Sequence, residues 1–183
     1  MSILKEKVKF AYEDYLCLPD NGKRYQVIEG ELYMVPAPTP NHQDVLARLL
    51  MLLSNFVAKH KLGKVFCAPC DVILSQEDIV QPDIFFISKE RKHIITERNI
   101  QGAPELVIEI LSSTTAKLDK TLKARLYERF GVKEYWLVDP EEKSIIVYEG
   151  KGDKFSLAQE VKQKGKVSST ILPHLEVEVK DIF

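Results

Sequence analysis

The stretch Glu105-Leu106-Val107-Ile108-Glu109-Ile110-Leu111 decides the fold, because it is a nearly continuous apolar run with one internal acid at position 109. Such a run, without alternation of polar and apolar residues, is typical of a strand buried on both faces of a sheet. From Leu118 to Phe130 a large apolar residue recurs every fourth position, which indicates a helix, and Gly131 is placed to end it. A buried strand followed by an amphipathic helix predicts that helices pack on a sheet.

The flanking sequence adds a second helix and further strands. Apolar residues recur at helical spacing from Val45 to Phe56, so we predict a helix that Asn41 caps and that ends near residues 61–63. A short amphipathic segment is predicted over residues 10–16. Further strands are predicted at residues 24–29, 31–35, 64–74, 80–88, 134–138, 144–149, 154–157 and 175–179. The fold class is therefore α/β (α+β), a mixed β-sheet flanked by helices.

Length and composition are those of a globular domain. The chain has 183 residues, of which 45% are hydrophobic and 29% charged, so we expect a single domain over residues 1–183. No apolar run approaches the ~18–20 residues that would span a bilayer. Residues 1–10 alternate charged and apolar side chains and lack the core of a signal peptide. We expect a cytoplasmic protein that does not bind a membrane.

The charge balance limits how the chain can bind nucleic acid. The net charge is −1, so there is no overall basic field of the kind that coats DNA non-specifically. A nuclease is less affected by this balance, because a metal ion and a local basic patch can hold one phosphate.

Two predicted strands carry an acid where burial favours an apolar residue. Asp83 lies in Val80-Gln81-Pro82-Asp83-Ile84-Phe85-Phe86-Ile87, and Glu109 lies in the stretch quoted above. Pro82 cannot donate to a sheet ladder and therefore indicates a strand start or edge, which would bring Asp83 to an accessible rim. Two carboxylates on neighbouring strands suit Mg²⁺ or Mn²⁺. The alternative is that each acid pairs with a basic side chain at a strand end.

The helix over residues 118–130 supplies a lysine. At ~100° per residue, Asp119 and Lys123 fall at the border of the apolar stripe, whereas Lys120 falls on the solvent side. Lys123 is therefore the lysine that can reach a site beside the sheet. Asp119 lies four residues before it and could orient it.

These motifs resemble the PD-(D/E)XK nuclease superfamily, in which Pro-Asp is followed by a glutamate on a buried strand. In its common form a lysine stands two residues after the glutamate, where this chain has Leu111. Several branches carry that lysine on the following helix, where Lys123 stands.

More narrowly, the chain resembles the Uma family of restriction-endonuclease-like proteins. The matching segments follow one another along most of the chain: Tyr25-Gln26-Val27-Ile28-Glu29-Gly30-Glu31-Leu32, Pro40-Asn41-His42, Pro82-Asp83, Pro104-Glu105-Leu106-Val107-Ile108-Glu109-Ile110-Leu111-Ser112, Asp119 with Lys123, and Gly131-Val132-Lys133-Glu134-Tyr135-Trp136-Leu137-Val138-Asp139-Pro140. The resemblance implies a restriction-endonuclease-like fold and a homodimer. The family usually has a glutamate where this chain has Gln26, and Glu29 or Glu31 is a candidate substitute.

The resulting hypothesis is a metal-dependent endonuclease that hydrolyses DNA phosphodiester bonds. Asp83 and Glu109 would hold Mg²⁺ or Mn²⁺, and Lys123 would orient a water and offset transition-state charge. His42 would bind phosphate or shape the site, although a histidine near a helix start is about as often a cap partner or a surface residue. Glu31 and Asp119 complete the set of supporting residues.

Two other functions stay open. The first is a catalytically inactive nucleic-acid-binding or regulatory protein of the same fold, which Gln26 and the missing basic field favour. The second is a thiol-redox protein that uses Cys67 and Cys70, whose spacing is that of a dithiol. A redox dithiol of the thioredoxin type should open a helix, whereas the residues after Cys70 are predicted to form a strand.

Overall fold

A computed structural model describes residues 8–183. Residues 1–7, on which the signal-peptide prediction partly rests, lie outside the described residues. The α-helices are α1 (Tyr12–Leu16), α2 (Pro40–His60), α3 (Ala116–Leu118) and α4 (Ala124–Arg129). The strands are β1 (Arg24–Ile28), β2 (Glu31–Val35), β3 (Gly63–Cys67), β4 (Val72–Ser75), β5 (Asp78–Val80), β6 (Ile84–Ser88), β7 (Ile100–Gln101), β8 (Leu106–Ile110), β9 (Glu134–Asp139), β10 (Ser144–Lys151), β11 (Lys154–Lys162), β12 (Lys166–Ser168) and β13 (Glu176–Glu178).

Within residues 8–183 the strands form two main sheets and a small ribbon. The larger sheet has six strands in the order β11-β10-β9-β8-β6-β3, and it is mixed because β8 and β9 run parallel while the other pairs are antiparallel. The smaller sheet has five strands in the order β2-β1-β5-β4-β7, and β12 pairs with β13. The predicted α+β class, a mixed sheet flanked by helices, is confirmed.

Both faces of the larger sheet are covered, as the apolar run in β8 predicts. Leu106, Ile108 and Ile110 pack with the apolar face of α2, whereas Val107 faces α4 and the smaller sheet. Because successive side chains of a strand point to opposite faces, Glu109 shares the face of Val107. The acid at position 109 therefore points toward the helical segment that follows β8.

The long helix α2 begins two residues earlier than predicted. Its N-cap is Thr39, whose side chain accepts a hydrogen bond from the His42 backbone N–H, and Pro40 occupies the first turn. Asn41 is therefore not the cap, because a proline is well suited to the first helical position and the threonine hydroxyl reaches the free amide. The helix ends at Lys61 in the left-handed conformation, as expected for residues 61–63. Of the helices in residues 8–183, none has both the length and the apolar composition that crossing a membrane requires.

Two predicted strands are wrong in extent, because each is divided between the two sheets. The predicted strand over residues 64–74 is β3 in the larger sheet and β4 in the smaller one, with a turn containing Pro69 between them. The predicted strand over residues 80–88 is likewise divided into β5 and β6. Proline breaks the ladder in both places, and the chain changes sheet there.

The helix predicted over residues 118–130 is present but irregular. Between α3 and α4 the segment Asp119–Lys123 forms a π-helical turn. Both end residues of that turn are buried, and π turns inside α-helices occur often at functional sites. Gly131 follows the helix with a φ of 74°, the left-handed conformation that the prediction of a glycine stop requires.

Candidate active site

The register of two antiparallel strands brings the two predicted acids together. Ile84 of β6 pairs with Ile108 of β8, so one step further along the ladder Asp83 lies opposite Glu109. The Ile110 backbone N–H donates to Asp83 Oδ2 at 2.8 Å. Both acids lie on the sheet face that α4 covers, because both alternate with residues that face α2.

Glu109 is held by two donors from the helical segment. It is 2% exposed, and its Oε1 accepts from Lys123 Nζ at 3.0 Å and from the Tyr127 hydroxyl at 2.6 Å. An ionised carboxylate at this depth needs such partners, because an unpaired one would cost several kcal/mol. Part of the alternative reading, that Glu109 pairs with a basic residue, is therefore also present in the structure.

Lys123 lies between two carboxylates. It is 4% exposed, and its Nζ is 3.0 Å from Glu109 Oε1 and 3.1 Å from Asp119 Oδ1. Asp119 is itself 2% exposed, and the contact is an ion pair without good hydrogen-bond geometry, since Oδ1 accepts no directed hydrogen bond from the described residues. Sequence geometry placed both residues at the border of the helix, and the π turn buries them.

The titration of this cluster reflects burial and mutual charge. Burial raises the pKa of Glu109 to about 8; the Lys123 ammonium opposes this rise, while the charges of Asp119 and Asp83 add to it. Burial alone would lower the pKa of Lys123, but Glu109, Asp119 and Asp83 together outweigh it and raise that pKa. The cluster therefore holds a lysine that stays cationic and a glutamate that ionises near neutral pH.

Asp83 is oriented by a histidine from α2. His42 is 8% exposed, and its Nε2 lies 3.2 Å from Asp83 Oδ2, placed to donate to it. The other ring nitrogen, Nδ1, is buried and has no hydrogen-bond partner within residues 8–183. His42 therefore shapes the site through Asp83, which agrees with one of its two predicted roles.

These side chains surround one cavity of about 190 Å³ between the two sheets. It is lined by Arg24, Gln26, residues 33–39, His42, Gln81, Asp83, Glu109, Ile110, residues 112–115, Leu118, Asp119 and Lys123. Asp83, Glu109 and Lys123, taken from three separate elements, thus share one space.

The donor set fits a small divalent cation. Within residues 8–183 the hydrogen bonds to the two acids end on one oxygen of each, Asp83 Oδ2 and Glu109 Oε1, which leaves Oδ1 and Oε2 for a cation. No group of three or more metal-ligating side chains occurs in that part of the chain. Two carboxylates are nevertheless sufficient for Mg²⁺, which keeps several waters and binds few protein ligands.

Comparison with known proteins assigns the family. Residues 12–180 match the Uma2 family, described as "Putative restriction endonuclease". The chain belongs to the Uma2 family. It is 25% identical over 141 residues to an uncharacterised protein of Synechocystis sp., covering 76% of this chain and 79% of that protein. It also resembles the crystal structure of "a putative nuclease belonging to DUF820" from Anabaena variabilis, with a TM-score of 0.78, 20% identity, and coverage of 95% and 97% of the two chains.

The position at which this Uma2 chain carries Gln26 lies inside the cavity. Gln26 is 3% exposed, and its Oε1 is buried without a partner in the described residues. Neither proposed substitute reaches the site: Glu29 pairs with Arg129 on the exterior, and Glu31 is exposed and contacts the Tyr33 hydroxyl. The expectation that Glu31 supports the site therefore has no geometric basis in this structure, because the tight turn between β1 and β2 directs both acids away from the cavity.

Sequence reasoning missed two residues of this Uma2 site. Tyr127 hydrogen-bonds Glu109, and it could have been found because it lies four residues after Lys123 on the same helix face. Gln81 lines the cavity and has a buried Oε1 without a partner in the described residues, and no pattern in the sequence distinguishes it from a surface residue.

The two cysteines of the redox alternative have no catalytic environment. Cys67 and Cys70 are free and half-buried, and they flank the turn between β3 and β4 instead of opening a helix. Burial raises the pKa of the Cys70 thiol, and the charge of Asp71 adds to the rise. A reactive thiol needs the opposite shift, so this geometry does not favour redox chemistry.

Proposed function

We propose that this protein is a metal-dependent endonuclease that hydrolyses DNA phosphodiester bonds. The observation that carries the proposal is the convergence of Asp83, Glu109 and Lys123 on one cavity, with two carboxylate oxygens left free of hydrogen bonds. Membership of a family described as "Putative restriction endonuclease" supports the same reaction class.

Each residue has a distinct task in this proposal. Asp83 and Glu109 hold Mg²⁺ or Mn²⁺, which supplies Lewis-acid polarisation of the phosphate and an acidified water. His42 fixes the orientation of Asp83, and Tyr127 fixes that of Glu109, by hydrogen bonds to the oxygens that face away from the cation. Lys123 offsets the negative charge that builds on the phosphate in the transition state.

Single substitutions test this assignment. Asp83→Asn, Glu109→Gln and Lys123→Met should each lower Mn²⁺-dependent cleavage of DNA by at least about a hundredfold. Lys120→Met is the matched control, because Lys120 lies on the exposed side of the same π turn and outside the cavity. Cleavage that all three site variants retain would remove the proposal.

A non-enzymatic nucleic-acid-binding protein is the second candidate. It is favoured by Gln26, an uncharged amide with an unpaired buried oxygen where an acid would add a ligand. Titration calorimetry with Mn²⁺ separates the two candidates. The enzyme requires a site that Asp83→Asn and Glu109→Gln abolish, whereas the binding protein shows no such site.

The homodimer implied by the family resemblance is kept as part of the proposal. Light scattering after size-exclusion chromatography should give about twice the 21.0 kDa mass of one chain. A monomer at micromolar concentration would remove this part and leave the catalytic assignment intact.

A further inference from the structure

The shape of the cavity indicates which form of DNA can reach the acids; the inference rests on the proposed function. We propose that the substrate is an unpaired DNA strand, one nucleotide of which enters the cavity with its base against Tyr33. Uninterrupted duplex would then be a poor ligand.

The depth of the cluster is the first argument. Glu109, Asp119 and Lys123 are 2%, 2% and 4% exposed, within a cavity of about 190 Å³. A duplex is stiff, with a persistence length of about 50 nm, and its phosphates lie on the outside of a wide cylinder. It cannot place a phosphate beside groups so deeply buried without local unpairing, whereas a single strand can bend one nucleotide inward.

The wall of the cavity is the second argument. Tyr33 pairs with Gln26 across the β1–β2 ladder, so both side chains lie on the sheet face that lines the cavity. The loop after β2 continues this wall with Pro36 and Pro38, and residues 112–115 present hydroxyl groups on another side. An aromatic ring beside a phosphate-binding site is the usual means of holding an unpaired base by stacking.

The sparse positive charge is the third argument. Among the residues lining the cavity, Arg24 and Lys123 are the basic ones, and Lys123 is already paired with two carboxylates. Binding to a continuous duplex depends mainly on many lysine and arginine contacts with phosphates. A site with so few cations depends more on stacking, which an unpaired base offers and a duplex does not.

The experiment compares one sequence in two forms. Fluorescence anisotropy measures binding of the protein, in EDTA, to a labelled single strand and to a hairpin-closed duplex containing the same strand. The single strand should bind at least about tenfold more tightly. Equal affinity, tighter duplex binding or no detectable binding of either form would overturn this inference.

Cleavage of both oligonucleotides with Mn²⁺, measured in parallel, tests the proposed function separately. Preferential single-strand binding without cleavage of either form would overturn the endonuclease and leave single-strand recognition standing. Cleavage of the duplex together with equal binding of both forms would have the reverse meaning.

Variants at position 33 identify the stacking contact. Tyr33→Leu keeps apolar volume but removes the aromatic face, and it should weaken single-strand binding by about tenfold without changing duplex binding. Tyr33→Phe keeps the ring and should bind like the unmodified protein. Tyr25→Leu is the control, because Tyr25 lies on the opposite face of β1 and outside this cavity. Equal binding by the leucine and phenylalanine variants at position 33 would exclude stacking there.

Discussion

Replacement of Lys123 by methionine should destabilise the protein far more than replacement of a surface lysine. Methionine keeps the length and much of the apolar stem but removes the ammonium that lies 3.0 Å from Glu109 and 3.1 Å from Asp119. The two carboxylates, each 2% exposed, then lose the positive charge that compensates their burial.

The size of the effect follows from that burial and from the pKa of Glu109. Removing one partner of a buried ion pair costs about 3–5 kcal/mol. Glu109 can relieve part of the cost by taking up a proton, because burial raises its pKa to about 8 and loss of Lys123 raises that pKa further. The variant therefore holds a proton on Glu109 where the unmodified protein has released it, so it loses stability relative to the unmodified protein as pH rises through 8. We expect a loss of about 3 kcal/mol at pH 7 and a larger loss at pH 9.

Thermal unfolding followed by circular dichroism measures this difference. For a domain of this size, about 3 kcal/mol corresponds to a fall in Tm of roughly 6–12 °C. The control Lys120→Met, three residues away on the exposed side, should shift Tm by less than about 2 °C. The double variant Glu109→Gln/Lys123→Met should recover part of the loss. If Lys123→Met unfolds at the temperature of Lys120→Met at pH 9, the ammonium does not compensate these acids.

Three further predictions concern the same side chains and the cysteines. Because the pKa of Glu109 is about 8 and a cation binds its ionised form, Mn²⁺ affinity measured by calorimetry should rise about tenfold per pH unit from pH 6 and level off above pH 8; an equal slope in Glu109→Gln would contradict this. Tyr127→Phe removes a hydrogen bond that favours ionised Glu109, so unfolding should cost about 1 kcal/mol less and the midpoint for Mn²⁺ binding should move to higher pH; an unchanged midpoint would show that Tyr127 does not act on Glu109. Cys70 should react with a thiol-specific reagent at neutral pH more slowly than the exposed Cys17, and a faster reaction would revive the redox alternative.

Local pattern was sufficient wherever one interaction dominates. The apolar run of β8 predicted a strand buried on both faces, and the spacing of leucines predicted the helical segment after it, because burial of apolar area outweighs other terms there. Those two elements are present and pack as expected. The extents of the strands near Pro69 and Pro82 were not predictable in the same way, since an apolar run does not record which of two sheets each half joins.

By itself the sequence determined which residues carry chemistry: two acids in apolar strands, a lysine at the border of a helix, and the ordered segments of the Uma2 family. Tertiary structure decided how they meet. The register of β6 against β8, the π turn that buries Lys123 and Asp119, and the exclusion of Glu31 from the cavity all arise from contacts between segments far apart in the chain. A periodicity of 2.0 or 3.6 residues states which face a side chain occupies. It contains no information on which distant face will lie opposite, so that part of the site emerges only when the chain packs.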